Sequence, residues 1–133
     1  MNRAIALAGA VALLAVPAAA HHSFAMFDQT KIVTLEGTVA EFQWTNPHAF
    51  IELDVPNGAR AQRWSIELNS PNNLTRQGWR RTSLKAGEAI SVRVAPLRNG
   101  HPGGLFLDLR KPDGRVLDSG LPKNGTPVNV PQL

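Results

Sequence analysis

The chain has 133 residues, 43% of them apolar and 18% charged, with a formal net charge of +4 and no cysteine. That length leaves room for one core and one domain, and the composition excludes collagen-like and wholly disordered chains. The missing cysteines exclude a disulfide framework, a thiolate metal site and a lipidated thiol.

The chain opens on a leader pattern. Arg3 precedes the unbroken apolar run from Ala4 to Val16, and Pro17 with Ala18, Ala19 and Ala20 makes a small-residue cleavage site. The run is well short of the roughly 20 apolar residues that a spanning helix needs. The expected organisation is a signal peptide over 1–20, a mature domain over 21–118 and an extended tail over 119–133, which is rich in Pro, Gly and Asn. The mature protein is expected in the periplasm or outside the cell, with no membrane anchor left after cleavage.

After His21 to Asp28, the stretch Lys31 to Trp44 is long and β-branched. Val33, Leu35 and Val39 share one phase, while Phe42 and Trp44 fall in the other. A strand whose apolar face changes sides needs a bend or bulge, and Gly37 is the expected place for it. Thr45-Asn46-Pro47 interrupts this strand, and Ala49 to Val55 alternates through Ile51, Leu53 and Val55 as a second. Pro56-Asn57-Gly58 is turn chemistry, with Asn57 and Gly58 able to take positive φ, and Arg63 to Leu68 completes a hairpin through Trp64, Ile66 and Leu68.

Ser70 as a cap, Pro71 at the first helical position, Leu74 facing inward and Gly78 as a terminator predict a helix of two turns. Leu84 to Glu88 reads as a tight turn. Ile90, Val92 and Val94 form a fourth strand ended by Pro96, and Leu105, Leu107 and Leu109 a fifth. Pro112-Asp113-Gly114 turns the chain toward a short strand at Arg115 to Leu117. Three strands, a short helix and two more strands is the order of the OB-fold. The fold class is therefore all-β: a small OB-like five-stranded Greek-key barrel with one short helix between strands 3 and 4.

The segments HHSFAMFD (His21 to Asp28), LEGTV (Leu35 to Val39), WTNPHAFIELDV (Trp44 to Val55), WSIELNSP (Trp64 to Pro71), GWRRTSLKAGE (Gly78 to Glu88) and PLRNGHPGG (Pro96 to Gly104) resemble a family of short exported bacterial proteins, the domain of unknown function 6152. The resemblance covers His21 to about Asp118. It implies a location outside the cytoplasm and brings no reaction with it.

Catalytic templates are absent from the sequence: no P-loop, GxSxG elbow, HExxH, EF-hand loop or GxGxxG stands in it. Glu36, Glu41, Glu52, Asp54 and Glu67 alternate with apolar residues and read as solvated outer faces. The histidines carry the strongest signal. Cleavage after Ala20 would leave His21 as the first residue, whose α-amine and imidazole Nδ1 could chelate one metal ion together. Amine and imidazole nitrogens suit Cu(II), which tops the divalent affinity order and accepts a square-planar arrangement. His48, beside Pro47, is the candidate third ligand, and His22 could add or compete. The opposing reading makes His21 and His22 polar residues at a frayed end and His48 a turn residue bonded to a backbone carbonyl. His101, in a glycine-rich loop, reads as solvent exposed.

A second constellation combines Trp44 and Trp79 with Arg76 and Arg80. Exposed aromatics and arginines of this kind hold anionic or carbohydrate ligands by stacking and bidentate hydrogen bonds, and the alternative is that the tryptophans cap the barrel ends. Nucleic acid is not an expected partner, because the positive charge is scattered apart from Arg76, Arg80 and Arg81. Three functions follow: a copper-binding exported module, a metal-independent interaction domain for an anionic, glycan or protein ligand, or a copper-dependent oxidative enzyme.

Overall fold

The structure is a computed structural model that describes residues 24–120. The leader, His21, His22 and the tail beyond Gly120 lie outside the described residues. A single 3₁₀ turn at Phe24–Met26 leads into β1 (Val33–Gln43), β2 (Phe50–Asn57), β3 (Arg60–Glu67), helix α1 (Pro71–Arg76), β4 (Ala89–Pro96), β5 (Gly103–Arg110) and β6 (Val116–Asp118).

The strands lie in the order β3-β2-β1-β4-β5-β6, and β3 also pairs with β5, so five of them close into a barrel. All neighbours are antiparallel except β3 and β5, which run parallel through Ser65↔Gly103, Ile66↔Gly104 and Glu67↔Leu105. Closure on this pattern, with the helix between β3 and β4, is the expected OB-like arrangement. Strand β6 extends the sheet beyond β5 through Leu109↔Leu117 and its neighbours.

Alternation along the strands fills the interior. Leu35 and Val39 of β1, Ile51 and Leu53 of β2, Ile66 of β3 and Val92 and Val94 of β4 meet in one core cluster. The phase change in β1 is real, but its position differs from the expected one. The β1–β2 register slips between Val39 and Glu41, which makes Ala40 the extra residue and swings Phe42 to the core side. Gly37 has a different task. A Cβ there would sit 2.6 Å from the Asp54 carbonyl oxygen and 2.9 Å from Leu53 Cγ, so glycine is required by the close approach of β2.

Strand β5 holds a second slip, opposite Arg93 and Val94. The expected inward row of Leu105, Leu107 and Leu109 is therefore replaced: Phe106 and Leu109 enter the main core, and Leu105 turns to a satellite cluster with Phe27 and Ala95. The β2–β3 turn also sits later than expected. Asn57 pairs with Arg60 inside the ladder, and the two loop residues are Gly58, at φ +62°, and Ala59. A glycine with positive φ at the first loop position suits a two-residue hairpin.

Helix α1 forms as its signals predict, with Ser70 as N-cap, Pro71 in the first turn and Leu74 buried. Gly78, at φ +88°, then reverses the chain. That reversal sends Trp79 into the barrel, where it is only 1% exposed. The Phe24–Met26 turn is fixed against the end of β4. Phe27 bridges Leu97, the Asp28 N–H donates to the Pro96 carbonyl at 2.8 Å, and Arg98 Nε donates to the Ala25 carbonyl at 3.1 Å.

Candidate functional site

The outer face of the β2–β3 hairpin is a ladder of polar cross-strand pairs. Arg63 Nε donates to Asp54 Oδ1 at 2.6 Å, and Ser65 Oγ donates to Glu52 Oε1 at 2.7 Å. The third rung is His48, whose Nδ1 lies 2.7 Å from Glu67 Oε1. Pairing explains the contact: Phe50 faces Glu67 directly, so His48, two residues earlier, lies on its diagonal, within reach of a long side chain. Thr45 Oγ1 donates to the His48 carbonyl at 2.9 Å and closes the loop that carries the imidazole. The imidazole is one-third exposed and Glu67 is largely buried.

With Nδ1 engaged by the carboxylate, the remaining nitrogen, Nε2, meets no hydrogen-bond partner among the described residues. A carboxylate behind one ring nitrogen and an open second nitrogen is the arrangement that orients a metal-binding histidine. Glu67 was not singled out from the sequence, where it read as one of several solvated acids. The register of the hairpin, counted back from its glycine turn, would have placed it beside His48. The described residues hold no group of three His, Cys, Asp or Glu side chains able to ligate a metal. His101 lies apart, exposed in the β4–β5 loop with its N–H donating to Asn99 Oδ1.

Asp54 shows how the ladder responds to pH. The Arg63 hydrogen bond holds its carboxyl below the ordinary aspartate range, against a smaller opposing effect of burial. A lowered folded value means that the pair stabilises the fold above the ordinary aspartate range and loses that contribution as the pH falls through the lowered value. Arg63→Gln should therefore raise the Asp54 titration midpoint toward the ordinary one, as followed by carboxyl-carbon NMR. An unchanged midpoint would mean that the pair is open in solution.

A match to the family of unknown function DUF6152 spans residues 8–108. The chain belongs to that family. The match starts inside the apolar run read as a leader and ends in β5, so it takes in the His48–Glu67 rung. Neither the curated proteins nor the solved structures contain a match to this DUF6152 member.

The aromatic constellation is rearranged. In this DUF6152 barrel Trp79 is not a stacking platform: its ring packs edge-on against Phe106, with centroids 5.3 Å apart, and tilted against Phe42 at 6.0 Å. Its Nε1 donates to the Asp118 carbonyl at 3.1 Å, which satisfies the indole inside the fold. Gly78 turned the residue inward, whereas its neighbours Arg80 and Arg81 had suggested an exposed position. Trp44 is half-buried and meets Phe42 edge-on at 5.6 Å, so Phe42 joins both tryptophans in one aromatic row. Arg76 and Arg80 remain exposed. A cleft of about 610 Å³ near Gly37, Pro56 and Ile90 contains none of the candidate metal or ligand residues read from the sequence.

Proposed function

We propose that the mature protein is an exported module that binds one Cu(II) through the His21 α-amine and imidazole together with His48 Nε2, its role being metal binding or delivery. The observation that carries this reading is the 2.7 Å contact of His48 Nδ1 with Glu67, which orients the ring and leaves Nε2 as the donor. His22 is available to add or compete. The donor set suits copper, because neutral nitrogens without thiolate favour Cu(II) among the divalent ions.

The reading asks that the three residues from His21 to Phe24, the first described residue, at most about 10 Å of extended chain, carry the mature terminus from its hold beside Pro96 and Arg98 to the His48 rung. The set is incomplete without cleavage, because the amine exists only when Ala20 has been removed.

Intact mass should first show that exported protein begins at His21. Copper titration followed by electron paramagnetic resonance should then give one tight site. His48→Ala and a single extra residue before His21 should each weaken it, and Glu67→Gln should cost about tenfold, the low end for a residue that orients a ligand. His101→Ala should leave it unchanged. Identical spectra and affinities for the wild type and the extended terminus would exclude the amine as a ligand and end this reading.

A further inference from the structure

The basic residues of the chain are scattered in sequence, yet the fold gathers four of them around one cleft. This cleft, of about 380 Å³, opens between the segment after α1 and the β5–β6 turn, and its lining includes Arg80, Lys85, Lys111 and Arg115. Its volume lies in the range of small-ligand sites, about 300 to 1,000 Å³. It is separate from the copper reading: Lys111 lies six residues along the chain from Leu105, the partner of Glu67, or about 20 Å at the rise of a strand.

Charge in the cleft is not balanced by its carboxylates. Lys111 is only 8% exposed, and its Nζ lies 3.3 Å from Glu88, which it needs as a partner at that depth. Arg115 Nε is held by Asp113 at 2.6 Å. Glu88 also accepts the Lys85 backbone N–H at 3.2 Å, which fixes the turn that presents the Lys85 side chain. The Arg80 backbone N–H donates to Ser83 Oγ at 2.8 Å and fixes the other wall. Among the described residues, neither the Arg80 guanidinium nor the Lys85 ammonium has a carboxylate partner. Two cations on hydrogen-bonded turns thus border a pocket whose floor already carries a buried ammonium.

We infer that this cleft binds a multiply charged oxyanion of the phosphate type, either free or as the headgroup of a larger molecule. Arg80 supplies a planar fork for two of the oxygens and Lys85 a mobile point charge, the usual division of labour at such anions. Binding uses residues that the copper reading does not touch, so it persists in the His48→Ala protein.

The test uses the full mature chain in chelator-treated buffer, with inorganic pyrophosphate as the probe in calorimetric titration. Saturable binding is expected, weakened at least about tenfold by Arg80→Gln or Lys85→Gln, as for loss of one charge-assisted hydrogen bond. Both variants change exposed side chains and should keep the wild-type melting temperature. Arg60→Gln, at the tip of the β2–β3 hairpin, should have no effect. A second arm uses vesicles of phosphatidylcholine with or without phosphatidic acid, whose phosphomonoester carries more than one charge. Capture only by the anionic vesicles, displaced by pyrophosphate and lost in Arg80→Gln, identifies a headgroup, whereas pyrophosphate binding without capture identifies a free anion. Absence of pyrophosphate binding, or equal weakening by Arg60→Gln, would overturn the inference.

Discussion

Trp79→Ala should destabilise the domain by about 3–5 kcal/mol, the range for truncating a buried aromatic to alanine. For a domain near 100 residues, that corresponds to a fall of more than about 10 °C in melting temperature. The ring is surrounded: Phe106 meets it edge-on, Phe42 lies across it, and Leu74 of α1 belongs to the same buried cluster. Removing it also takes the Nε1 hydrogen bond from the Asp118 carbonyl, which loosens the hold on β6. Trp79→Phe keeps most of the buried area and loses that hydrogen bond, so its cost should be clearly smaller. Thermal unfolding by circular dichroism separates the two variants. A melting temperature for Trp79→Ala within a degree or two of wild type would place the indole at the surface and return it to the role of a stacking platform.

The second large effect is expected at Gly37. Alanine there must fit a methyl group 2.6 Å from the Asp54 carbonyl oxygen and 2.9 Å from Leu53 Cγ. Neither neighbour can easily move. The Asp54 backbone is held in the ladder opposite Thr38, and Leu53 is a fully buried core residue. Gly37→Ala should therefore cost about 1–3 kcal/mol through overpacking, and Gly37→Val more. The measurement is the midpoint of urea unfolding at unchanged slope, because a changed slope would signal a different folded or unfolded state. A midpoint equal to wild type would mean that β1 and β2 are not packed this closely.

The strands were legible because each carries an alternating apolar row, and the helix because cap, proline and terminator sit at the right spacing. The fold order, and with it the barrel, follows from those elements. Of the two slips of register, the first was expected at Gly37 instead of Ala40 and the second was not expected. A bulge is a property of a strand pair, and Ala40 and Leu107 carry nothing in their own chemistry that marks the extra residue. Gly37 drew attention as the only glycine in its strand, but its reason is a neighbour brought there by pairing. The stacking-platform reading of Trp79 fails for a related reason: local charge suggested solvent, whereas one residue with positive φ just before it set the direction of the chain. For the candidate metal centre, His48 stood out by its position beside Pro47. Its partner Glu67 lies nineteen positions away and becomes visible only when the hairpin register is known. The basic cleft is equally non-local, since Arg80 and Arg115 meet only after the barrel has formed.

The parallel seam between β3 and β5 also shapes how the molecule reaches its native state. Three residue pairs make that seam, and they join positions 38 apart in the chain, such as Ser65 and Gly103. The hairpin of β2 and β3 is local, whereas the helix and β4 lie between the two strands of the seam. Contacts of such long sequence separation bear the loop-closure cost before they are rewarded. Together with the β1–β4 ladder, whose partners lie 51 to 61 positions apart, the seam puts folding on the milliseconds-to-seconds scale of proteins dominated by non-local strand pairing rather than the microseconds of helical bundles.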